Sequence, residues 1–543
     1  MLALLALVGV SSGTFHENVP VHKLHDAAAT AWNVAAALQK HKAHKSHVLA
    51  GEKSGGGDGA KAAARGGGVA VGHEKDPRGL SRGTKRWLAR LRHEVATLRP
   101  LLSENGGGYP FDGLAARAWA KYAAVTKGEM RKMRAADPAT TAEARVEDTP
   151  VREDGSIFLS VASYRDRLGL EKRSTYRAAD GVGMCAGSVL GAFRYAAHPE
   201  RLFVGIVDQR CRAGCKTGVF TGGTEEETAV PDRDCAREVC AHPETARYCA
   251  SGQVRFASLS EQDAMGPMMA RYIASQLWRG EQYYVQIDAH STWGDHWDRR
   301  MIKMVEDAPA THRGKAVITA YPPGSRMGDR GRSFQSQPGS RMCASAFTDP
   351  TGGEGGIVRI QASMRFEHAP PARPKFAPFV AAGFFIAPAT FLREVPFDPY
   401  LPWVFMGEEL LLTVRLFAAG YDIFSPTTDV IGHQYTVPGV PRFWETLGRV
   451  YGAGGCHNQL QPYVLARIKH VLGYPEQAAG KVQPASLLWE MDRYGLAGER
   501  RRDEYLKMVG IDMVRKTTRT PGWCTQGTEP ANIAAGKARL AAA

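Results

Sequence analysis

The segment Gln286-Ile-Asp288-Ala-His290 brings together two side chains that bind divalent cations. It includes the end of the apolar run 283–287, which we expect to form a strand, so Asp288 stands at the carboxyl end of that strand. In an extended chain, residues i and i+2 point to the same side, so the carboxylate and the imidazole can converge on one ion. This pair suits a divalent transition metal such as manganese. The alternative is that Asp288 caps a turn and His290 is a surface residue.

Two later segments offer further acidic and imidazole side chains. Gly407 precedes Glu408 and Glu409 at the start of an apolar helix, and glycine permits close approach of the backbone to a ligand. Alternatively, the two acids are ordinary first-turn residues that complement the helix dipole. Farther on, His433 follows a glycine in a short predicted strand. Each signal is weak alone, but together the three segments supply two or three metal ligands and a carboxylate that can face one pocket.

The elements that must position these residues alternate between strands and helices. Apolar runs predict strands at 157–162, 202–207, 283–287 and 315–321, and helical patterns at 183–197 and 266–278 precede the second and third of them. This alternation predicts an α/β fold with βαβ units and a largely parallel sheet. Ligands of such sheets bind beyond the carboxyl ends of the strands, where the candidate residues lie. Residues 322–378 are expected to form loops over the sheet edge, and regular patterning resumes at 379–386.

Composition divides the chain into three parts, namely an N-terminal extension (1–150), a central domain (151–475) and a basic C-terminal tail (476–543). Within the extension, the Gly- and Ala-rich residues 51–72 are expected to form a disordered linker. Two basic helices are predicted at 84–102 and 114–135. The first has apolar residues at helical spacing, which indicates a packing or stem helix.

The amino terminus has an ambiguous character. The apolar run 1–10, followed by Ser11-Ser12-Gly13, resembles the core of a secretory signal, but it lacks a positively charged leader. A truncated start explains it equally well. No stretch approaches the roughly 20 apolar residues that a membrane-spanning helix requires, so no membrane span is expected.

The formal net charge of +14 requires that a nucleic-acid partner be considered. Residues 1–150 contain 22 Lys and Arg against 14 Asp and Glu, so more than half of the excess lies in the extension. The remaining excess suits an enzyme that handles an anionic nucleotide as well as it suits a nucleic-acid binder. No motif that combines aromatic and basic residues for nucleic-acid recognition is visible. We therefore expect no nucleic-acid partner.

Five of the nine cysteines are close together in the sequence: Cys211, Cys215, Cys235, Cys240 and Cys249. Their spacing could hold zinc, although it lacks the C-x2-C pairs of common zinc modules. In an oxidising compartment the same cysteines would form disulfides that hold a long insertion together, and this interpretation is slightly favoured.

Several longer motifs occur in a consistent order in the central domain. They are Ile157-Phe-Leu-Ser-Val-Ala-Ser-Tyr-Arg-Asp166, Gly266-Pro-Met-Met-Ala-Arg271, Gln286-Ile-Asp-Ala-His290 with Trp297-Asp298, Phe379-Val-Ala-Ala-Gly-Phe384, Val395-Pro-Phe-Asp-Pro399, Phe405-Met-Gly-Glu-Glu409, and Gly420-Tyr-Asp422 through His433-Gln-Tyr435. With these motifs, residues 157–444 resemble the polypeptide or hydroxyproline N-acetylglucosaminyltransferases. That family includes the enzyme that glycosylates a hydroxyproline on a ubiquitin-ligase adaptor in protists.

The resemblance implies a GT-A-type, Rossmann-like mixed sheet flanked by helices. It also implies a nucleotide-sugar partner, UDP-GlcNAc, as donor, a divalent cation (usually Mn2+), and retention of the α configuration. The acceptor would be a protein hydroxyl on hydroxyproline, threonine or serine. A cation meets a chemical need here, because the departing diphosphate develops negative charge.

Carried over position by position, the resemblance makes Asp288 and His290 the metal-binding pair and His433 the third ligand. A more distant likeness to mucin-type polypeptide N-acetylgalactosaminyltransferases, which also have a Gly-Glu helix start, implies that Glu408 contacts the donor sugar. Glu409 is its neighbour.

The remaining donor-site residues follow from the same likeness. Gly407 belongs to the Gly-Glu helix start, and Ser163, Tyr164 and Arg165 should line the uridine pocket. Arg271 is a candidate phosphate contact, since a guanidinium matches phosphate oxygens.

Two features depart from the family pattern. Ala289 stands where the family often has serine, at a position expected to point away from the metal. The cysteine-bearing insertion and the 322–378 segment could remodel the acceptor side.

A catalytically inactive carbohydrate- or nucleotide-binding module of the same fold is the alternative function. A working secretory signal would place the protein in the Golgi, whereas the adaptor-modifying relatives are cytoplasmic.

Overall fold

The computed structural model describes residues 79–98, 111–135, 146–166, 181–216, 227–228, 231–325, 336–351, 354–435, 440–451, 456–478 and 480–542. All of them belong to one compact unit, Glu74–Ala543. The predicted signal at 1–13 and the predicted linker at 51–72 lie outside the described residues.

Sixteen strands are present in the described part of the chain. They are β1 (Ile157–Tyr164), β2 (Leu202–Arg210), β3 (Cys215–Lys216), β4 (Glu227–Thr228), β5 (Val254–Ser260), β6 (Tyr283–Asp288), β7 (Ser291–Trp293), β8 (Ala316–Thr319), β9 (Ser345–Phe347), β10 (Val358–Ile360), β11 (Lys375–Phe376), β12 (Phe384–Pro388), β13 (Asp422–Ser425), β14 (Ile431–His433), β15 (Ile511–Asp512) and β16 (Thr517–Thr518). Eight of them form the main sheet in the order β11-β13-β8-β12-β6-β1-β2-β5.

The main sheet is mixed. Strands β6, β1, β2 and β5 are parallel to one another, and β8 is parallel to β13. Strand β12 runs antiparallel to both β6 and β8, and β11 runs antiparallel to β13. The predicted α/β class with a mixed sheet is therefore confirmed. All four strands predicted from apolar runs are present.

Three strands of the main sheet were not predicted, namely β5, β11 and β13. Strand β5 lies next to the cysteine-rich insertion, and its alternating sequence Val-Arg-Phe-Ala-Ser-Leu-Ser suits the sheet edge that it occupies. Strand β11 lies in the segment that was expected to form loops only, and it spans just two residues. It is a strand because it pairs with β13, a tertiary contact that no local pattern reveals.

The described α-helices are α1 (Arg82–Ala96), α2 (Phe111–Ala135), α3 (Met184–Tyr195), α4 (Cys235–Ala241), α5 (Ala246–Ala250), α6 (Pro267–Ser275), α7 (Trp297–Asp307), α8 (Phe391–Glu394), α9 (Glu408–Ala418), α10 (Phe443–Tyr451), α11 (Cys456–Leu472), α12 (Met491–Tyr494), α13 (Arg502–Met508), α14 (Gly522–Gln526) and α15 (Ala531–Ala542). Helix α6 packs against β1 and β2, and α7 packs against β8 and β12. The flanked sheet carries a continuous apolar core.

The two N-terminal helices pack into this same core. Trp87 of α1 is fully buried, and its ring meets that of Tyr272 edge-on at 5.5 Å. Trp119 and Tyr122 of α2 are also fully buried, and the Tyr122 hydroxyl donates to the carbonyl of Pro399. The predicted packing role of the first helix is thus confirmed. The boundary drawn at residue 150 does not separate these helices from the central domain.

The C-terminal residues also join the core. Leu487 and Tyr505 are fully buried, and the Tyr505 hydroxyl donates to the carbonyl of Pro378 at 2.7 Å. A disulfide links Cys524 to Cys343. The boundary drawn at residue 475 therefore differs from the compact unit in the structure, because apolar residues on both sides of it share one interior.

Within the described residues, eight cysteines form four disulfides: Cys185–Cys235, Cys211–Cys215, Cys240–Cys249 and Cys343–Cys524. The disulfide interpretation of the cysteine-rich insertion is confirmed. One partner, Cys185, comes from helix α3, outside the group of five that the sequence singled out.

Among the described helices, none combines the length and apolarity needed to cross a bilayer.

Candidate active site

Strand β6 delivers Asp288 to the middle of the main sheet. The strand lies between β1 and β12, and Asp288 is its last residue. The backbone N–H of Asp288 donates to the carbonyl of Gly383, which fixes the strand end, while its side chain is 32% exposed. The carboxylate therefore stands at the carboxyl end of a parallel strand, as predicted, and remains partly exposed.

A second, two-stranded sheet brings His433 to Asp288. Strand β14 pairs antiparallel with β7, so that His433 lies opposite Ser291, next to His290. The backbone N–H of Gln434 donates to the carbonyl of His290 at 3.0 Å, and that of His433 donates to the carbonyl of Pro323 at 3.0 Å. These two hydrogen bonds tie the backbone around His433 to His290 and to Pro323, and so fix the position of His433.

The side chains of Asp288, His290 and His433 form one cluster. One potential ligand atom from each residue lies within 4.8 Å of those of the other two. His433 Nε2 is 3.1 Å from Asp288 Oδ2, and the two imidazole rings have centroids 4.5 Å apart. The structure thus brings together all three residues of the predicted metal set.

The electrostatics of the cluster suit a divalent cation. Burial alone would raise the pKa of Asp288, but the hydrogen bond with His433 and the charge of Arg271 outweigh it and lower that pKa well below its usual range. Burial, together with the neighbouring His433, lowers the pKa of His290 to about 4. An ionised carboxylate and a neutral imidazole are the forms that bind metal.

Arg271 joins this cluster to the predicted sugar-binding acid. Its Nη2 donates to Asp288 Oδ1 at 3.0 Å, and its Nη1 donates to Glu408 Oε2. Glu408 is the first residue of α9 and is buried, and burial raises its pKa although Arg271 opposes the shift. Each terminal nitrogen donates one of its two N–H groups to a carboxylate, and the predicted phosphate contact of Arg271 stays a prediction.

Glu409 has different partners from Glu408. Its Oε2 accepts a hydrogen bond from the Tyr321 hydroxyl at 2.6 Å, and its Oε1 accepts one from the backbone N–H of Ala382 at 3.0 Å. Burial raises the pKa of Glu409 to about 7, against the effect of these hydrogen bonds. Glu409 therefore ties α9 to the segments that follow β8 and precede β12.

Two glycines permit the close approaches that the site needs. Gly407 has φ of +90°, and a Cβ there would lie 2.6 Å from Ile357 Cδ1, so the turn into α9 requires glycine. A Cβ on Gly383 would lie 3.0 Å from Asp288 Oδ2. The space beside the candidate metal-binding oxygen is therefore kept open by a missing side chain.

The residues predicted for the uridine pocket lie at the carboxyl end of strand β1, whose last two residues are Ser163 and Tyr164. Ser163 is buried, and its carbonyl accepts a hydrogen bond from the Gln209 side chain at 3.3 Å. The Tyr164 hydroxyl is hydrogen-bonded to Thr446 of α10, and its ring meets that of Phe443 edge-on at 6.3 Å. Their contact with a nucleotide stays a prediction.

Arg165 has a structural environment that its predicted role did not anticipate. Its side chain is fully buried, and its guanidinium donates to Asp232, to Glu261 and, at 2.9 Å, to the carbonyl of Lys216. Its backbone is in the left-handed region with φ of +56°, which is uncommon for a residue other than glycine. The arginine anchors the end of β1 to three neighbouring segments, and its predicted contact with uridine stays a prediction.

Sequence reasoning missed two contributors to the site. Tyr321, the partner of Glu409, follows strand β8, and the rule that polar residues after strands face the ligand edge could have identified it. Tyr435 packs its ring against that of His433 at 4.3 Å and donates from its hydroxyl to the carbonyl of Pro322 at 2.6 Å. Its position two residues after His433 is the local signal that could have identified this support.

Comparisons with known proteins place a family match over the region that contains the site. The sequence pattern of the family described as Glycosyltransferase (GlcNAc) matches residues 156–515, which is more than half of the chain. No curated protein matches the chain significantly.

Solved structures give more distant similarities. A crystal structure of GalNAc-T7 with UDP, GalNAc and Mn2+ has 13% sequence identity and a TM-score of 0.37; the match covers 67% of this chain. The chain spans 60% of the length of that structure. A crystal structure of S. aureus TarS 1-349 has 11% identity and a TM-score of 0.28, with 62% of this chain and 76% of that one covered.

Proposed function

The chain belongs to the glycosyltransferase family described as Glycosyltransferase (GlcNAc), and on this premise we propose that it transfers N-acetylglucosamine from UDP-GlcNAc to a hydroxyl group of an acceptor protein. The acceptor hydroxyl belongs to hydroxyproline, threonine or serine. The observation that carries the proposal is the cluster of Asp288, His290 and His433 at the carboxyl end of a central strand, beside the buried acid Glu408.

Three observations support a divalent cation, Mn2+ by preference, at this cluster. The donor set is one carboxylate and two imidazoles, which suits transition metals. The buried Nδ1 of His433 has no hydrogen-bond partner among the described residues, so this ring has a nitrogen to spare. Gly383 leaves space beside Asp288 Oδ2 that a larger residue would fill. The residues present therefore fit such a cation.

When bound, the cation supplies positive charge that stabilises the departing diphosphate. The protein contributes fixed groups around it. Glu408 is held by Arg271 in a buried position where it can accept hydrogen bonds from the donor sugar, and Ser163 and Tyr164 end the strand beside β6 and bind the uridine. We propose that the acceptor oxygen bonds to the anomeric carbon on the face from which the UDP phosphate departs, and that this phosphate takes the hydroxyl proton, so that the transfer retains the α configuration.

The decisive experiment incubates the purified chain with UDP-GlcNAc, Mn2+ and a panel of hydroxyproline- and threonine-containing peptides, with mass spectrometry as the readout. We expect one added N-acetylhexosamine on a subset of peptides. Asp288→Asn should abolish the transfer, while Asp307→Asn, which alters a surface ion pair with Lys303, should leave it unchanged. Binding of UDP-GlcNAc with neither hydrolysis nor transfer to any peptide would indicate the inactive-module alternative.

We further propose that the protein resides in the Golgi or elsewhere in the secretory pathway. Four disulfides support this location, because disulfides persist in oxidising compartments. A fluorescent tag at the carboxyl end would distinguish it from the cytoplasmic alternative.

A further inference from the structure

Arg271 occupies a central position among the candidate site residues. It lies on helix α6, and its side chain is only 7% exposed. One terminal nitrogen donates to Asp288 and the other donates to Glu408, so a single guanidinium bridges the metal-binding aspartate and the sugar-facing glutamate. Its Nε has no hydrogen-bond partner among the described residues.

From this geometry we propose that Arg271 is a positioning residue with two effects. It fixes Asp288 and Glu408 at a set separation, and its charge limits how tightly the Asp288–His290–His433 cluster holds a divalent cation. The inference rests on the proposed function for the role of Glu408, whereas its effect on the cation concerns the metal cluster alone.

The shape of a guanidinium explains why arginine suits the first effect. Its planar fork presents two parallel donors, so it can hold carboxylates from two different elements in one plane. Asp288 ends strand β6, whereas Glu408 begins helix α9. Without the bridge, two acids would face each other in a mostly buried space, and Glu408 would lose its countercharge.

The second effect follows from electrostatics. A full positive charge whose donor nitrogen is 3.0 Å from Asp288 Oδ1 repels a cation that approaches the same carboxylate. At the effective dielectric constant of a partly buried site, removal of this charge should tighten cation binding by roughly tenfold. A purely structural arginine would have the opposite effect, because its loss would disorder the ligands and weaken binding.

The test compares two variants. Arg271→Met removes both the positive charge and the planar guanidinium, whereas Arg271→Lys keeps the charge but lacks the guanidinium. We expect Arg271→Met to bind Mn2+ about tenfold more tightly by titration calorimetry. Its kcat should fall about 100-fold, since Glu408 loses its fixed position, with a much smaller change in KM for UDP-GlcNAc. Arg271→Lys should bind Mn2+ as the wild type does and still lose most of kcat.

A matched control is Arg255→Met. Arg255 is also a buried arginine that forms an ion pair with a buried glutamate, Glu281. Its guanidinium donates hydrogen bonds to Glu281 and to the carbonyl of Leu277, and not to the site residues. This variant should leave both the affinity for Mn2+ and the ratio of kcat to KM unchanged while it lowers stability.

Several results would overturn the inference. Unchanged or weaker Mn2+ binding by folded Arg271→Met would contradict the charge effect, and a raised KM with normal kcat would indicate a direct phosphate contact instead. If Arg271→Met does not fold, a wild-type kcat in Arg271→Lys would contradict the positioning effect of Arg271. The calorimetry needs neither donor nor acceptor. Tighter Mn2+ binding in a chain whose wild type transfers no sugar would therefore refute the proposed function and support the charge effect of Arg271.

Discussion

Asp288 Oδ2 and His433 Nε2 lie 3.1 Å apart, although 145 residues separate the two in the sequence. The contact depends on the pairing of β14 with β7, which places His433 beside the chain that leaves the central strand β6. The candidate metal site is therefore assembled by two sheets. The main sheet supplies the aspartate, and the small sheet supplies the histidine.

The first prediction concerns this contact. Replacement of His433 by alanine removes one of three ligands, and we expect Mn2+ affinity to fall by at least about 100-fold, since even partners outside a ligand set contribute about 10- to 100-fold. Titration calorimetry or the electron paramagnetic resonance of free Mn2+ measures this directly. His198→Ala, which removes an exposed histidine paired with Glu200, serves as the control and should bind Mn2+ normally. Equal affinity in the two variants would remove His433 from the metal set.

The second prediction concerns the space beside Asp288. In Gly383→Ala the new Cβ would lie 3.0 Å from Asp288 Oδ2, so the carboxylate must shift. We expect kcat to fall by about 10- to 100-fold with little change in the free energy of unfolding. A small displacement of the groups that position the donor lowers the rate strongly. Gly498→Ala, where a Cβ has open space, is the matched control. Normal turnover by Gly383→Ala would show that the carboxylate has room to move.

The third prediction concerns the pH dependence of stability. Glu354 accepts hydrogen bonds from the backbone N–H groups of Phe405 and Met406, just before Gly407, and burial raises its pKa to about 7. Between its ordinary pKa of 4.5 and about 7, the folded protein binds more protons than the unfolded protein. This group therefore lowers the free energy of unfolding as pH rises through that window.

Glu354→Gln isolates this contribution from other groups that titrate in the same range. The variant loses one hydrogen bond at every pH, so it should be less stable than the wild type at pH 5. The difference should shrink by about 2 kcal/mol by pH 8. Urea denaturation at several pH values measures it. A difference that stays constant from pH 5 to pH 8 would contradict the raised pKa.

The fourth prediction compares two disulfides that close loops of very different length. Cys343–Cys524 spans 181 residues, whereas Cys211–Cys215 spans 4. In the chain-entropy description, loss of the long link through paired serine substitutions should cost about 5 kcal/mol, and loss of the short link about 2 kcal/mol. Urea denaturation without reductant measures both, and peptide mapping without reduction verifies the pairing. Equal losses would contradict the dependence of stabilisation on loop length.

The sequence by itself determined the features that depend on local order. Apolar runs of strand length predicted β1, β2, β6 and β8, because a buried strand must be apolar along its length. The two-residue spacing of Asp288 and His290 predicted that both side chains could reach one point, since alternate residues of an extended chain share a side. The cysteine-rich insertion was correctly interpreted as disulfide-bonded.

Tertiary structure alone decided which distant groups meet. The partners of Arg271 and Arg165 are carboxylates on other elements, and a guanidinium in the sequence does not reveal whether it will bind a ligand or a buried acid. The two-residue strand β11 and the short β14–β7 pair are also stabilised by partners far along the chain. Local patterns describe which side chains a segment presents. The packing of segments determines which charges lie opposite one another, and that packing depends on the whole core.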